Sequence, residues 1–165
     1  IRENQLDQAM QYMEDICDGL DKIPVKKYCE NEALNLILSS YLDKASEQHI
    51  ETTVSVTATD FSRFQIPDLC SLLANALENA IHACEGMSTS NPRYIRLKIY
   101  EKNRQLCINM ANSYSKEPLF ENDIPISQRA GHGIGVQSMI SVIEKYHGIY
   151  GFFASAGEFR FQATL

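Results

Sequence analysis

Residues 68–84, DLCSLLANALENAIHAC, sort their side chains onto two faces of one helix. Leu69, Leu72, Leu73, Ala76, Leu77, Ala80 and Cys84 recur at helical spacing and make an apolar face. Ser71, Asn75, Glu78, Asn79 and His82 make a polar stripe at the same spacing. Pro67 and Asp68 open the helix, the proline near its first turn and Asp68 near its cap. An apolar helix face of this breadth has to be buried against another layer.

That layer is legible as alternation. HIETTVSVTAT alternates Ile50, Thr52, Val54 and Val56 and is rich in β-branched residues, as a strand is. RYIRLKIYE alternates Ile95, Leu97 and Ile99 against charges, and QLCINMAN alternates Leu106, Ile108 and Met110. A turn at Lys102-Asn103 joins these two strands into a hairpin. IYGFFA and FRFQATL are two more short strands, split at Ser155-Ala156-Gly157. Further helices are read over about 29–47 and about 133–147. Residues 113–130, with Ser, Pro, Asn and Asp but little periodicity, read as one long loop. Helices and strands mix without strict βαβ alternation, which predicts a two-layer α/β (α+β) sandwich with an antiparallel-rich sheet.

Ahead of this domain, Leu6, Met10, Met13, Cys17 and Leu20 form the narrow seam of a helix packed on a partner helix, ended by Asp18-Gly19 and Pro24. The chain starts without Met, which suits a fragment of a longer protein. A formal net charge of −6 argues against a nucleic-acid-binding surface, though Mg²⁺ can offset acidic surroundings for a phosphate ligand. Five cysteines without a C-x-x-C pair read as free thiols in a reducing, cytosolic compartment. No apolar run is long enough to span a membrane.

Two features carry chemistry. Asn75 and Asn79 lie one turn apart, and asparagine is a poor helix former in mid-helix. Alone, such a stripe is the solvated face of an amphipathic helix. Its amide oxygens are equally hard neutral donors that can ligate Mg²⁺ while the metal keeps water and phosphate oxygens. The second feature is AGHGIGVQSMISVIEKYHG, residues 130–148, where Gly131, Gly133 and Gly135 run into a helix. A flexible capping loop would look the same, yet helix starts with glycine-lined approaches also collect phosphates. Val136 and the lack of a preceding strand do not fit a dinucleotide-binding loop, and no Gly-Lys-Ser/Thr provides a P-loop.

NALENAIHA followed by GHGIGVQS resembles the asparagine and glycine boxes of the histidine kinase, gyrase, heat-shock chaperone and mismatch-repair (GHKL) superfamily. Within it, the chain looks most similar to the Agr-type peptide quorum-sensing histidine kinases, over about residues 28–165. The resemblance implies a Bergerat-type ATP-binding fold: a mixed sheet of about five strands, covered on one face by three helices and preceded by a stem helix. It implies a catalytic domain over 28–165, a lid at about 113–130 and a dimerising stem ending within 1–22.

By the same resemblance, Asn79 is the Mg²⁺ ligand and Asn75 its companion in an ATP site, with Glu78 holding the metal asparagine or a metal-bound water. ATP-hydrolysing relatives carry a water-activating Glu at the position of Asn75, which cannot act as a base, so phosphotransfer is favoured over hydrolysis. His82, Lys116 and Arg129 are placed near the phosphates, and Gly131, His132, Gly133 and Gly135 where the lid enters its helix. Asn112 stands where most relatives have an aspartate that binds adenine, and the glycines that follow it there are absent. A surface histidine, solvated charges and a strand-ending asparagine are the plain alternatives for these positions.

The implied activity is a protein histidine kinase that passes the γ-phosphate of Mg·ATP to a histidine on the stem upstream. Its implied partners are a response regulator and a second copy through the stem, at the cytoplasmic side of a membrane-anchored receptor. A nucleotide sensor or dimerisation module without turnover, and an anti-sigma-type serine kinase, are the competing readings.

Overall fold

The computed structural model describes residues 26–88, 90–126 and 133–165. The stem reading of residues 1–22 lies outside them. Helix α1 spans Glu32–Glu47 and buries Leu34, Leu38, Leu42 and Ala45. Asn31 caps it, its side chain accepting from Leu34 N–H at 3.1 Å. The helix starts later than the 29 read from sequence because the N–H groups of Tyr28 and Cys29 bind Asn35 Oδ1 (2.7 and 3.2 Å) in an approach segment outside the helix.

Strand β1 (Glu51–Val56) follows, then α2 (Ile66–Glu85), which buries all seven predicted apolar residues together with Ile81. Gln65 is the cap residue, and Asp68 sits close to it in the first turn, as expected. Strands β2 (Tyr94–Lys102) and β3 (Gln105–Ser113) form the expected hairpin. Its turn falls one residue later than read, at Asn103-Arg104, both at positive φ (52° and 63°), as a type I′ turn requires.

The long-loop reading of 113–130 is corrected in part. Residues 119–126 contain a small hairpin, β4 (Leu119–Glu121) and β5 (Ile124–Ile126), closed by Asn122-Asp123 at φ 50° and 63°. Helix α3 spans Ile134–Lys145, and β6 (Ile149–Ser155) and β7 (Glu158–Thr164) complete the chain.

The five-stranded sheet has the order β1-β2-β3-β7-β6. Only β1 and β2 are parallel, so α2 is the crossover between them; the other pairs are antiparallel. Ile95, Leu97 and Ile99 of β2 and Leu106, Ile108 and Met110 of β3 turn inward to the helices, while Arg96 and Lys98 face out. This is the two-layer sandwich expected from the sequence. Leu72 is fully buried in the layer interface, where truncation to Ala costs about 2–5 kcal/mol.

Polar and ring contacts at one end, and a hydroxyl pair further along, set how α2 and α3 lie together. Lys145 Nζ and Tyr146 Oη both donate to Asp68 Oδ2 at 2.6 Å, and Gln65 N–H donates to the Tyr146 hydroxyl at 2.9 Å. The end of α3 is thereby pinned to the start of α2, with the rings of Phe64 and Tyr146 edge to face at 5.1 Å. Ser71 and Ser138 hydroxyls meet at 3.4 Å one turn further along. The helices run antiparallel, and the start of α3 lands beside the middle of α2.

Candidate functional site

The glycine strip and the asparagine stripe, distant in sequence, meet where α3 begins. Gly133 is the cap residue, with φ 149° and ψ −20° and no side-chain cap. Side chains with a Cβ rarely adopt such a φ, so the glycine is what lets the chain turn into α3 there. Two residues on, a Cβ at Gly135 would sit 3.0 Å from Asn75 Oδ1. The Asn75 NH₂ group donates back to the Ser71 carbonyl at 2.8 Å, which turns its amide oxygen toward α3. One turn later Asn79, an exposed residue, donates from Nδ2 to Met139 Sδ at 3.9 Å.

These residues form one end of a cavity of about 610 Å³, within the range of small-molecule sites. Asn75, Glu78, Asn79 and His82 supply the α2 wall. Gly133, Gly135 and Met139 supply the α3 wall, so the unpaired N–H groups of its first turn border the space. Lys116 and residues of the β4–β5 hairpin, among them Leu119 and Ile126, border the mouth. The stripe is therefore a cavity wall in contact with α3.

Asn112 lies on the floor. It is 1% exposed, and its Nδ2 donates to the Ser113 carbonyl at 3.0 Å. A buried amide at the foot of an apolar cavity can offer an acceptor and a donor to one edge of a planar ligand. Around it the floor is aromatic: Phe152, Phe159 and Phe161, with Met110. The sequence reading missed these aromatics, whose signal was the two-residue spacing of Phe159 and Phe161 on one strand face.

Of the residues singled out from sequence, Asn75, Glu78, Asn79, His82, Asn112, Lys116, Gly133 and Gly135 all border this one cavity. Arg129, Gly131 and His132 lie outside the described residues. Glu78 also faces α1: burial raises the Tyr41 phenol, and the Glu78 charge adds to that shift. Cys84 behaves as a core residue. Burial pushes its thiol up, and its Sγ donates to the Ser113 carbonyl at 3.4 Å.

Among the described residues, no group of three or more His, Cys, Asp or Glu side chains could hold a metal. A divalent ion in this cavity would need ligands beyond the protein, as Mg²⁺ bound to a polyphosphate has. No described helix is long and apolar enough to cross a membrane.

Residues 64–165 match the model of the GHKL domain family. No curated protein matches the chain by sequence. The nucleotide-free catalytic domain of histidine kinase ThkA shares the fold with a TM-score of 0.64 at 17% identity, covering 84% of this chain and 94% of that one. The mycobacterial sensor histidine kinase MprB gives a TM-score of 0.59 at 17% identity, with 81% and 93% covered. The Acinetobacter baumannii histidine kinase AdeS gives 0.61 at 11% identity, with 98% and 80% covered. At these identities the likeness is one of fold: a mixed five-stranded sheet with three helices.

Proposed function

The chain belongs to the GHKL domain family, and we propose that its cavity binds Mg·ATP as the catalytic domain of a two-component sensor histidine kinase. The observation that carries this reading is the meeting of Asn75 and Asn79 with the glycine-lined start of α3, at one end of a cavity whose floor holds Asn112. One end suits phosphates and the other suits a base.

The residues fit Mg²⁺ held through phosphate. Asn79 brings an amide oxygen to the rim, and Glu78 beside it can accept from a metal-bound water. When bound, the ion would neutralise charge on the transferred phosphoryl group. The chain's own part is positioning. The first-turn N–H groups of α3 receive phosphate oxygens, and Lys116 adds a cation at the mouth. Asn112 takes the base edge, with an amide where an aspartate would give a charged acceptor.

Transfer is favoured over hydrolysis. Asn75 has no basic form at neutral pH, and its NH₂ is committed to Ser71. The acceptor on this reading is a histidine on a dimeric stem upstream, of which residues 1–22 are the last part. A response regulator takes the phosphoryl group next. The domain works at the cytoplasmic side of a membrane-anchored receptor, and the likeness of NALENAIHA and GHGIGVQS to the boxes of Agr-type peptide quorum-sensing kinases supports a receptor of that type.

Titration calorimetry with ATP tests the reading, with and without Mg²⁺. Saturable binding at one site that weakens when Mg²⁺ is removed is the expected result. Absence of binding under both conditions would overturn it in favour of a module that has lost its nucleotide.

A further inference from the structure

The sheet has a second face, turned away from the helices. Along β7 the side chains alternate: Phe159 and Phe161 border the cavity, so Glu158 and Arg160 stand on the outer side. The register sets Arg96 of β2, Ala111 of β3, Arg160 of β7 and Phe153 of β6 in one row across that side. Glu158 lies in the next row, between Ser113 and Ser155.

Glu158 gathers the two arginines. Its carboxylate accepts from the Arg96 guanidinium, from Arg160 Nε at 2.5 Å and from the Tyr94 hydroxyl at 2.6 Å. The Arg96 guanidinium also lies over the Tyr94 ring, 4.7 Å from its centroid. Only 15% of the Glu158 side chain is exposed, against 54% for Arg96 and 63% for Arg160. What meets the solvent is therefore cationic, although a carboxylate lies between the cations. Exposed ion pairs of this kind add little stability. They do hold two guanidiniums near one another, each with N–H donors to spare among the described residues. Donors held in place beforehand lose less freedom when they meet an anion.

A cleft of about 370 Å³ opens beside the pair, bordered by Tyr94, Phe153 and Arg160. Phe153 is exposed, and its ring lies over Gly151, where a Cβ would stand 2.7 Å from it. Lys98, also facing out, extends the positive charge along β2, in a chain whose formal net charge is −6. We infer that this outer sheet face is a docking surface for an acidic segment of a partner protein, with carboxylates on Arg96 and Arg160 and an apolar side chain on Phe153. From Arg96 to Phe153 the row crosses three strand spacings, about 14 Å, which about four or five extended residues cover. A short peptide brings its charge to these cations alone, whereas a nucleic acid or an anionic membrane also meets the acidic remainder of the domain. The nucleotide cavity lies on the helix side of the sheet, so a segment docked here leaves it open, and the inference does not rest on the nucleotide reading.

The test titrates the chain with a six-residue peptide of alternating aspartate and leucine, and with its asparagine counterpart, read by fluorescence anisotropy and amide chemical shifts. The aspartate peptide should bind, weaken as salt is raised, and shift amides of β2, β6 and β7. The asparagine peptide should bind at least about tenfold more weakly. Arg96→Gln combined with Arg160→Gln should cost the aspartate peptide about tenfold, and Phe153→Ser, which keeps every charge, about threefold. Lys27→Gln, at an exposed cation elsewhere, should change nothing. Circular dichroism establishes that each variant is folded, and Arg160→Gln alone carries the comparison if the double variant is not. Failure of wild type to bind the aspartate peptide, or equal binding by the folded arginine variants, overturns the docking surface. So does a wild type that ignores the peptide but binds phosphatidylserine vesicles or single-stranded DNA through Arg96 and Arg160.

Discussion

A Cβ on Gly135 would stand 3.0 Å from Asn75 Oδ1, so the first turn of α3 lies against the Asn75 side chain with little room for a methyl group between them. That contact ties two sequence features to one another and makes their disturbance measurable.

Gly135→Ala should separate stability from binding. Alanine is the better helix former by about 1 kcal/mol, so the melting temperature should hold or rise. The new methyl pushes the Asn75 amide by a few tenths of an ångström, and affinity for Mg·ATP should fall. Melts and calorimetry on one preparation decide it: unchanged affinity would mean that the Asn75 position is immaterial. Gly133→Ala should behave differently, losing about 1–3 kcal/mol of stability because φ 149° is strained for alanine.

Asn79→Ala should abolish Mg-dependent ATP binding and leave the fold intact, since the residue is exposed and its hydrogen bond to Met139 Sδ, at 3.9 Å, is weak. Circular dichroism checks the fold, and titration with and without Mg²⁺ checks the binding. Wild-type Mg dependence in the variant would return Asn79 to the status of a solvated residue.

Asn112→Ala should weaken ATP by about 1–3 kcal/mol, the cost of leaving a buried polar partner unmatched. GTP, with a different base edge, should lose less. Equal losses for both triphosphates would mark a structural defect at the floor.

With γ-labelled ATP and Mg²⁺, the chain alone should take up almost no label, and an upstream extension carrying the stem should restore acid-labile, base-stable labelling. In-line placement of the nucleophile supplies most of the catalysis in phosphoryl transfer, and the extension supplies the nucleophile. Stoichiometric label on His49, His82, His132 or His147 would falsify the upstream acceptor.

The pin between α2 and α3 should show itself in acid. The Lys145 ammonium, and after it the Tyr146 hydroxyl, hold the Asp68 carboxyl below the usual carboxylate range. A carboxyl depressed in the folded state stabilises fully above its unfolded value, about 3.9, and stops doing so as pH falls through the folded value. The melting-temperature gap between wild type and Asp68→Asn should therefore be constant near neutrality and shrink below about pH 4. A gap that persists to pH 2 would mean that the charge on Asp68 does not matter.

What could be read from sequence was the short-range part. The face of α2 was legible because all seven of its named positions answer to one burial surface, and the β2–β3 hairpin because Ile95, Leu97 and Ile99 alternate on one strand and Leu106, Ile108 and Met110 on the other. β4 and β5 were not, since three residues apiece are too few to show a period; Asn122-Asp123 was their one signal. Asn75, Asn79 and the glycines were found because each is unusual where it stands. Phe159 was hidden because a phenylalanine in a strand is ordinary until its partner strand is known.

That partner strand has a consequence for the birth of the molecule. β7 lies between β3 and β6, and its residue Glu158 pairs with Ser113, far back in the chain. The β2–β3 hairpin can form as soon as it is synthesised, but contacts between distant segments come late. Until β7 arrives, the strand QLCINMANS offers a bare edge with no charge along it. Such an edge is a template for other chains. The hazard for this protein therefore falls on the ribosome-bound chain, where neighbouring nascent copies can claim the place that β7 will later fill.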